Sequence, residues 1–464
     1  MIGFLGFNLS LEAKKNKVES LYKNYCLTCH GKNLEGGLGT ALLNLKWLDP
    51  RMNDTFTSIV QKGNIENGMP AFDSVIEKEE IRALLVYVQE KSTYSKLDSE
   101  KPLSSDASGI YSTQHHDFKF ELLHTLEEGI FWSLHFLPQG EILLTQKEGN
   151  LFLYRNGFMS KPIRGPKIRY GGQGGLLEAA AHPEYRENGW IYLSYADSLD
   201  NNRTSMTSIV RGKILNHRWV EEEMIFQAPK RFHTSQKKHY GSRIVFKENY
   251  LYFSVGDRGD ASGAQDLKKP NGKIHRIHLD GSIPSDNPFI GLKNAYPTVW
   301  AYGVRNPQGL VKHPDLNEIW EVEHGPRGGD ELNLIKKGTN YGWPEITYGI
   351  NYNGTPITSE TKREGMEQPI YYWVPSIAMC GIDFYTGKSF KKWKNHLFIG
   401  ALKARQLERI QLDRGKIIEH EVIFKDKGRI RDVASGPDGN LYFVMDSLDG
   451  NSGASVLCRL VPVK

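Results

Sequence analysis

The chain has 464 residues, too many for one small core, so its length predicts two or three domains. Apolar residues make up 39% and charged residues 24%, values typical of an ordinary globular protein. The net charge is +5, but the sequence has no dense run of basic residues, so a nucleic-acid partner is not expected. No stretch approaches ~20 consecutive apolar residues, so the sequence predicts no transmembrane helix.

The first segment, residues 1–13, is apolar but lacks a basic start. It fits either the remnant of a secretion signal that ends near Ala13 or a short packing segment. The first folded domain is predicted to begin at residue 14.

Residues 14–30 have apolar side chains at helical spacing and end in a C-x-x-C-H motif at residues 26–30. Two thiols three residues apart, followed at once by a histidine, have the spacing that attaches a c-type haem. Cys26 and Cys29 would bond the haem vinyl groups, and His30 would be the proximal iron ligand. Redox dithiols and zinc knuckles share the thiol spacing, but the adjoining histidine and the lack of a second ligand pair nearby favour haem.

The sixth iron ligand is predicted by elimination. His30 is the only histidine before His115, so this region cannot supply two histidines from its own chain. Met69 lies between a glycine and a proline, which fix an exposed loop that can aim a thioether inward. Most methionines are core residues, but the haem needs a sixth ligand, so Met69 is favoured and Met52 is the alternative. Thioether ligation raises the iron potential and suits electron transfer.

Residues 77–91 carry aliphatic side chains at helical spacing and predict a second helix. A helix before the haem motif and one that closes the domain resemble a class I cytochrome c, which implies a small all-α domain over residues 14–92. Residues 93–112 are polar and without periodicity, as expected of a linker. This haem motif is loaded on the outer side of the bacterial inner membrane, so we expect a periplasmic or secreted bacterial protein.

From residue 113 onward, the sequence repeats Gly or Asn, any residue, Ile or Leu, and another large side chain. The repeats begin at Gly140, Gly189, Asn249, Asn317, Asn395 and Gly439. A turn followed by a buried strand, repeated six times at blade-sized intervals, predicts an all-β six-bladed β-propeller over residues 113–464. A two-sheet sandwich would also repeat strands, but it fits a domain of this length less well.

Four cysteines occur in the chain, and the haem motif uses two of them. Cys380 and Cys458 are far apart in sequence. They could form one disulfide or be two buried small hydrophobic residues, and the second interpretation is favoured.

A polar residue follows each repeat strand, seven or eight residues after the start of the repeat. These residues are Lys147, Asp197, Asp257, His324, Lys403 and Asp446. Equivalent strand ends of a propeller lie on one face near the central axis, so the six residues predict a polar funnel that binds a ligand. A polar turn residue is the simpler interpretation of any one of them.

Other charged residues surround the predicted funnel. Arg429 and Arg431, with Lys403, would place three cations at one opening, which suits a polyanionic ligand. His239 and His324 are candidate proton-transfer groups, although either could be a hydrogen-bonded core imidazole.

Several motifs occur in the same order as in a known family, namely Gly172–Leu177, His239–Arg243, Arg305–Gly309 and His324–Pro326. They resemble the soluble quinoprotein glucose/sorbosone dehydrogenases, most nearly the aldose sugar dehydrogenase branch. The resemblance covers nearly all of residues 113–464. It implies a six-bladed propeller that holds pyrroloquinoline quinone (PQQ) and calcium.

The resemblance also implies roles for individual residues of this sequence. His239 would be the general base that takes the proton from the anomeric hydroxyl, and Arg305 would lie beside the reactive quinone carbonyl. The residues implied to bind or line the cofactor are Asn306, His324, Lys403, Arg429, Arg431, Gln173 and Asp446. The cations among them would bind the carboxylates of the quinone.

The implied calcium ligands are the backbone carbonyls of Gly325 and Pro326. Asp330 and Tyr341 would hold the waters of the ion. A hard cation prefers such oxygen ligands. Calcium and Arg305 would stabilise the oxygen that gains charge when the quinone carbon accepts hydride.

Two residues differ from glucose-specialised relatives. Lys238 stands where those relatives carry an acid that helps to hold sugar, and His324 stands where they carry glutamine. Both differences favour the broader aldose branch.

The sequence therefore predicts an aldose dehydrogenase fused to its own electron acceptor. The sugar would be oxidised at the C1 hydroxyl to a lactone, and electrons would pass through PQQ to the haem and then to a downstream cytochrome or oxidase. One alternative is oxidation of other alcohols or sorbosone-like aldehydes with the same cofactor. Another is a non-enzymatic binding propeller with a haem domain.

Overall fold

The structure, a computed structural model, describes residues 16–43, 52–99, 103–446 and 453–463. The segment 1–13, interpreted above as a signal remnant or packing segment, lies outside these residues. The chain divides into two compact units. The first comprises Met1–Glu100, Pro326–Gly328 and Tyr348–Ser359, and the second comprises Lys101–Gly325, Gly329–Thr347 and Glu360–Lys464. None of the described helices is long and apolar enough to cross a membrane.

The described part of the first unit is mainly helical. Its helices are α1 (Lys17–Tyr25), α2 (Leu27–His30), α3 (Asn53–Lys62) and α4 (Lys78–Ser99), with a 3-10 turn at Ile65–Asn67. The aliphatic residues whose spacing predicts the last helix are all buried, namely Ile81, Leu84, Leu85 and Val88. The ring of Tyr22 in α1 packs 5.2 Å from that of Tyr87 in α4, so the first and last helices share one core.

The last helix is longer than the sequence predicts. It continues to Ser99, so residues 93–99, which were assigned to a linker, are helical. This stretch contains no glycine or proline, and the next proline is Pro102, so nothing in the backbone stops the helix earlier. The polar composition that indicates a linker is also that of an exposed helix end.

The described part of the second unit contains one short α-helix, α5 (Tyr185–Asn188), three 3-10 turns at Lys230–Phe232, Ala261–Ala264 and Lys391–Trp393, and 26 strands. The first thirteen strands are β1 (Ile110–Ser112), β2 (Asp117–Leu126), β3 (Phe131–Phe136), β4 (Ile142–Gln146), β5 (Asn150–Arg155), β6 (Phe158–Met159), β7 (Ile163–Arg164), β8 (Leu176–Ala181), β9 (Ile191–Asp197), β10 (Met206–Leu215), β11 (Arg218–Phe226), β12 (Ile244–Lys247) and β13 (Tyr250–Val255). The others are β14 (Lys273–His278), β15 (Val299–Tyr302), β16 (Pro307–Lys312), β17 (Ile319–Glu323), β18 (Asp330–Ile335), β19 (Tyr371–Trp373), β20 (Met379–Phe384), β21 (Leu397–Ala401), β22 (Gln406–Asp413), β23 (Lys416–Lys425), β24 (Ile430–Ser435), β25 (Leu441–Asp446) and β26 (Ser455–Pro462).

These strands form six antiparallel sheets. Five follow one another along the chain, namely β3–β7, β8–β11, β12–β15, β16–β19 and β20–β23. The sixth joins β1 and β2 to β26, β25 and β24, so the two ends of this unit meet in one sheet. The innermost strands of the sheets, which we count as the first strand of each, contact one another in a closed ring of β3, β8, β12, β16, β20 and β24. The fold is therefore the six-bladed β-propeller that the repeats predict.

Each sequence repeat coincides with the second strand of its sheet, namely β4, β9, β13, β17, β21 and β25. These strands have a neighbour on each side, and every residue of β9 is buried. A strand that packs on both faces needs large apolar side chains throughout, which explains why Ile or Leu next to another large residue marks it.

A buried arginine at the centre of the ring links the sheets. Arg243, directly before β12, donates through Nη1 to Glu178 Oε2 of β8 (2.8 Å) and to Asp432 Oδ1 of β24 (2.9 Å). Its Nε donates to the Gln308 carbonyl of β16 (2.6 Å), and its Nη2 lies 3.6 Å from the Cys380 sulfur of β20. One side chain of the β12 blade thus contacts four of the five other blades.

The remaining blade joins through Asp432, whose Oδ2 accepts a hydrogen bond from the Leu134 amide of β3 (2.9 Å). We call Arg243, Glu178 and Asp432 the central ion cluster. Burial raises the pKa of both carboxyl groups, and Arg243 opposes that rise. Burial also disfavours the charged guanidinium, but the two carboxylates outweigh it, so the pKa of Arg243 lies above its ordinary value.

Two cysteines of the propeller are buried free thiols. Cys380 lies beside the central ion cluster, and Cys458 lies in an apolar cluster with Phe424 and Phe443. This confirms the interpretation that they are small buried residues rather than a disulfide.

Candidate active site and haem site

The haem motif lies where α1 ends and α2 begins. Cys26 forms the break between the two helices, and Cys29 and His30 follow within the single turn of α2. Both thiols are free and only partly buried. The motif therefore presents two unbonded sulfurs on one short helical turn.

His30 is oriented for metal binding through its outer nitrogen. Its Nδ1 lies 2.8 Å from the Thr40 carbonyl, which can only accept, so Nδ1 carries the proton and Nε2 keeps its lone pair. Gly39 passes close to the ring, because a Cβ there would lie 3.1 Å from His30 Cε1. Two thiols that can bond the vinyl groups and a histidine whose Nε2 can bind the iron are what a c-type haem requires, so the residues fit this group.

Met69 lies on a short turn outside the core. Its backbone exchanges hydrogen bonds with Asn64 (2.9 and 3.0 Å), and Gly68 before it has a φ of 79°. The Met69 side chain is partly buried, and Met52, the alternative ligand, is the N-cap residue of α3. Met69 remains the predicted sixth ligand.

Replacement of the predicted axial ligand should change the spectrum and the reduction potential of the haem. We expect Met69→Ala to lower the reduction potential by on the order of 0.1 V, because loss of a thioether removes the ligand that favours ferrous iron. The visible spectrum and a redox titration measure this. Met52→Ala is the matched control, and the axial assignment fails if that variant shifts the potential and Met69→Ala does not.

The six polar residues of the predicted funnel occupy equivalent places in the propeller. Each lies at, or within two residues of, the C-terminal end of the second strand of its sheet: Lys147, Asp197, Asp257, His324, Lys403 and Asp446. These ends share one face, which we call the polar face. Electrostatic interactions connect residues on it, as between Lys147 and Asp446 and between His324 and His239.

His239 has the geometry of a general base. Its Nδ1 lies 2.7 Å from Asp257 Oδ1, and the other oxygen of Asp257 accepts a hydrogen bond from Trp343 Nε1 (2.9 Å). These contacts fix the imidazole and leave Nε2 to accept a proton. Burial lowers the pKa of His239, and Asp257 offsets this only in part. The imidazole is therefore neutral at neutral pH, as a base must be.

The backbone of His239 is also held in place. Its φ of 55° lies in the left-handed region, which is uncommon for residues other than glycine. Gln173 Oε1 accepts from the His239 amide (2.5 Å), and the Gln173 amide donates to the Lys237 carbonyl (2.8 Å). A Cβ at Gly256 would lie 2.3 Å from the His239 carbonyl oxygen, so glycine is required there. Gln173, predicted to line the pocket, thus holds the backbone of His239 in place.

Arg305 presents a buried donor on the polar face. Its Nη1 donates to the carbonyls of His324 (2.8 Å) and Gly325 (2.7 Å), and its guanidinium lies 5.3 Å from the centre of the Trp343 ring. Its Nε is buried and has no hydrogen-bond partner among the described residues. A buried donor without an acceptor is unfavourable, so this nitrogen marks a place for an oxygen of a cofactor or substrate.

His324 is held by the protein through both ring nitrogens. Its Nε2 donates to the Met379 carbonyl, and its Nδ1 lies 3.5 Å from Asn306 Nδ2. Burial lowers the pKa of His324 to about 3, so the ring is neutral. Of the two candidate histidines, only His239 keeps a ring nitrogen free for proton transfer. Asn306 is itself fixed, because its Oδ1 accepts from Gln308 Nε2 (3.2 Å).

The loop predicted to bind calcium is tightly built. A Cβ at Gly325 would lie 2.0 Å from the Gly329 carbonyl oxygen, and the Gly325 amide donates to Asp330 Oδ1 (2.9 Å). Pro326 follows and is buried, and burial raises the pKa of Asp330 to about 6. The Tyr341 hydroxyl donates to a backbone carbonyl of β18 (2.6 Å).

The donor chemistry of this loop suits a hard cation. Carbonyl and carboxylate oxygens are the ligands that calcium prefers. Among the described residues, no three His, Cys, Asp or Glu side chains converge in metal-binding geometry. The donors predicted here are instead the backbone carbonyls of Gly325 and Pro326.

Cations outnumber anions on the polar face. Arg431 Nε lies 2.9 Å from Asp446 Oδ1, and Arg429 Nε lies 3.2 Å from Asp446 Oδ2. Lys403 is exposed at the end of β21 and forms no ion pair with any described carboxylate. Burial lowers the pKa of Lys147, and the nearby Arg431 lowers it further. One carboxylate is thus shared among several cations, and the surplus positive charge suits a polyanion.

Known proteins match both parts of the chain. The glucose/sorbosone dehydrogenase family model matches residues 128–459, and the model of cbb3-type cytochrome c oxidase subunit III matches residues 13–88. The chain is 41% identical over 330 residues to the aldose sugar dehydrogenase YliI of Escherichia coli (strain K12), which spans 69% of this chain and 88% of that protein.

Solved structures give the same result. The apo-form of the soluble aldose sugar dehydrogenase from Escherichia coli superposes with a TM-score of 0.70 at 36% identity, over 75% of this chain and 100% of that one. The PQQ-bound aldose sugar dehydrogenase from Streptomyces coelicolor superposes with a TM-score of 0.60 at 26% identity, over 74% and 98%.

The fold, the polar face and the haem motif define a class of protein, a β-propeller oxidoreductase joined to a cytochrome c domain. The chain belongs to the glucose/sorbosone dehydrogenase family, which is PQQ-dependent. Its relatives include aldose sugar dehydrogenases. The family resemblance of the propeller and the cytochrome resemblance of the N-terminal region are both confirmed.

Proposed function

We propose that this chain oxidises the C1 hydroxyl of an aldose to a lactone with PQQ and calcium, and passes the electrons to its own c-type haem. The observation that carries the proposal is the buried His239–Asp257 pair beside Arg305, whose Nε has no partner among the described residues. The names of the matched relatives support an aldose as the substrate.

The side chains of the polar face supply proton transfer and charge stabilisation. His239 Nε2 takes the hydroxyl proton as C1 gives up its hydride, so the C1–O bond becomes a carbonyl. Asp257 holds the imidazole and stabilises the imidazolium that forms. Arg305 Nε donates to an oxygen that gains negative charge. PQQ, when bound, supplies the two-electron acceptor, and the haem supplies the one-electron acceptor.

The proposed cofactor ligands are those that the family resemblance implies. Lys403, Arg429 and Arg431 bind the carboxylates of PQQ, and the pocket is completed by Gln173, Asn306, His324 and Asp446. Calcium is held by the carbonyls of Gly325 and Pro326, with Asp330 and Tyr341 on its waters. The haem is held by Cys26, Cys29, His30 and Met69. The surplus of cations on the polar face supports the first of these assignments, and the His30 ring, whose Nδ1 is held by the Thr40 carbonyl, supports the last.

We also propose an arrangement and a location. The haem domain begins at residue 14 and continues to the end of α4 at Ser99, the catalytic propeller begins with β1 at Ile110, and the residues between them connect the two. The protein functions in the periplasm or outside a bacterial cell, because its haem motif is loaded there. The next electron acceptor is another cytochrome or a terminal oxidase.

The proposal is tested with the full chain, loaded with haem and reconstituted with calcium and PQQ. On anaerobic mixing with an aldose panel, reduced-haem bands should appear only when both PQQ and sugar are present. Reduction of an added dye without reduction of haem would support the dehydrogenase activity but contradict electron transfer to the haem of the same chain. If no aldose reduces haem or dye although PQQ is bound, oxidation of other alcohols is favoured. If PQQ does not bind, a non-enzymatic binding propeller is favoured.

A further inference from the structure

We propose that the preferred substrate is an aldose with an anionic group, a carboxylate or a phosphate, and that Lys237 and Lys238 recognise this group. The inference rests on the proposed function, because it requires the sugar to be oxidised at His239. The two lysines directly precede this base in the chain. They are not among the residues that the proposed function uses.

The backbone that carries the two lysines is fixed. The Lys237 carbonyl accepts from the Gln173 amide (2.8 Å), and the Lys238 carbonyl accepts from Arg258 Nη1. The next amide, that of His239, donates to Gln173 Oε1 (2.5 Å). Both lysine side chains therefore start from the same hydrogen-bonded segment as His239.

Two glycines leave room for the lysine side chains. The Lys237 Nζ lies 3.2 Å from the position that a Cβ would take at Gly171, next to the loop that carries Gln173. The Lys238 Cε lies 2.8 Å from the position of a Cβ at Gly259, whose amide donates to Asp257 Oδ1 (2.7 Å). One lysine thus lies against the Gln173 loop and the other lies over the loop beside Asp257.

Neither lysine is neutralised within the protein. Among the described residues, no carboxylate forms an ion pair with Lys237 or Lys238. The acidic residues that follow β13 are already paired, Asp257 with His239 (2.7 Å) and Asp260 with Lys269 (2.7 Å). The positive charge of Lys238 also lowers the pKa of the His239 imidazole, so the two side chains interact electrostatically.

The two lysines exceed what the cofactor needs. PQQ carries three carboxylates, and Lys403, Arg429 and Arg431 are the cations proposed to bind them. Lys237 and Lys238 remain for the substrate. An anionic group remote from C1 can pair with them while C1 stays at His239, whereas a neutral aldose leaves both charges unpaired.

The test is a comparison of substrates that differ in charge. With the PQQ-loaded, haem-loaded full chain at low ionic strength, kcat/KM is measured for glucuronate, glucose 6-phosphate and glucose. Two exposed ion pairs predict a preference of roughly tenfold for an anionic aldose over glucose, and added salt should reduce it. Preference for glucuronate alone would identify a carboxylate, and preference for the phosphate alone would identify a phosphate ester.

The variants locate the preference. We expect Lys237→Gln/Lys238→Gln to bring the ratio of kcat/KM for an anionic aldose to kcat/KM for glucose close to one. The variant Lys237→Arg/Lys238→Arg keeps both positive charges and should retain the wild-type ratio. Lys119→Gln removes one exposed positive charge from β2 and should leave the ratio unchanged. Equal or better turnover of glucose by the wild type would overturn the inference while the proposed function stands.

Failure of the proposed function has a different signature. If none of the three sugars reduces the haem, the dehydrogenase assignment is lost, and calorimetric binding of glucuronate then decides the inference. If glucuronate binds in a salt-sensitive way and the double Gln variant abolishes this binding, the proposed anion site is supported. If no such binding is found, the proposed anion site is wrong.

Discussion

The His239→Ala variant is expected to lose sugar-driven haem reduction while it retains its haem. A positioned general base contributes roughly 10²–10⁴ in rate, so kcat should fall by that order. Alanine removes the accepting nitrogen but leaves Asp257 and Trp343 hydrogen-bonded to each other. Absorbance of reduced haem after anaerobic mixing with an aldose measures the loss, and the oxidised spectrum measures haem content. Turnover above about a tenth of the wild-type value would exclude His239 as the base.

The pH dependence distinguishes a lost base from a general loss of structure. Burial lowers the pKa of His239 below the ordinary value of 6.5, so turnover of the wild type should rise through that lower pKa and be level at neutral pH. The hydrogen bond to Asp257 raises the pKa of His239 against the effect of burial. Asp257→Asn should therefore move the midpoint to lower pH and reduce the plateau. A midpoint that moves to higher pH would contradict the assigned pair.

The propeller was predictable because each repeat is a local signal. A turn residue followed by two large side chains marks a central strand without reference to the rest of the chain, and the polar residue after it marks the end of that strand. Lys147 and Asp257 were identified in this way as funnel residues. The hydrogen-bond partner of Asp257 was not predictable. Its 2.7 Å contact with His239 joins the segment before β12 to the segment after β13, and the packing of the blade sets the distance between these two segments.

Long-range contacts also explain where other predictions from the sequence differ from the structure. His324 looked free to exchange protons, but the carbonyl that occupies its Nε2 belongs to Met379, 55 residues away. Trp343 carried no signal for a role at the base. The extended α4 reflects the opposite limitation, because residues 93–99 have the polar composition of a linker and nevertheless continue the helix.

The Arg243→Met variant is expected to destabilise the propeller by about 3–5 kcal/mol, the usual consequence of removing one partner of a buried ion pair. Methionine has a similar length but no charge, so Glu178 and Asp432 would be left buried without compensation. Chemical denaturation followed by tryptophan fluorescence measures the loss. Arg155→Met is the matched control, because Arg155 is 57% exposed and its nearest carboxylate oxygen lies 3.8 Å away, and it should change stability by less than about 0.5 kcal/mol.

The pH dependence of this loss identifies its cause. Burial raises the pKa of Glu178 and Asp432 in the folded protein, and Arg243 is the group that opposes the rise. Without it, the folded state favours the protonated acids and the unfolded state does not. The deficit of Arg243→Met relative to the wild type should therefore be smallest near pH 4, where the folded wild type also favours the protonated acids, and should grow as the pH rises through the pKa of Glu178 in the folded wild type, about 7. The triple variant Arg243→Met/Glu178→Gln/Asp432→Asn replaces both acids by neutral amides. It should therefore recover part of the stability that Arg243→Met loses at pH 7. A deficit that is the same at every pH would mean that packing around Arg243, rather than its charge, links the six blades.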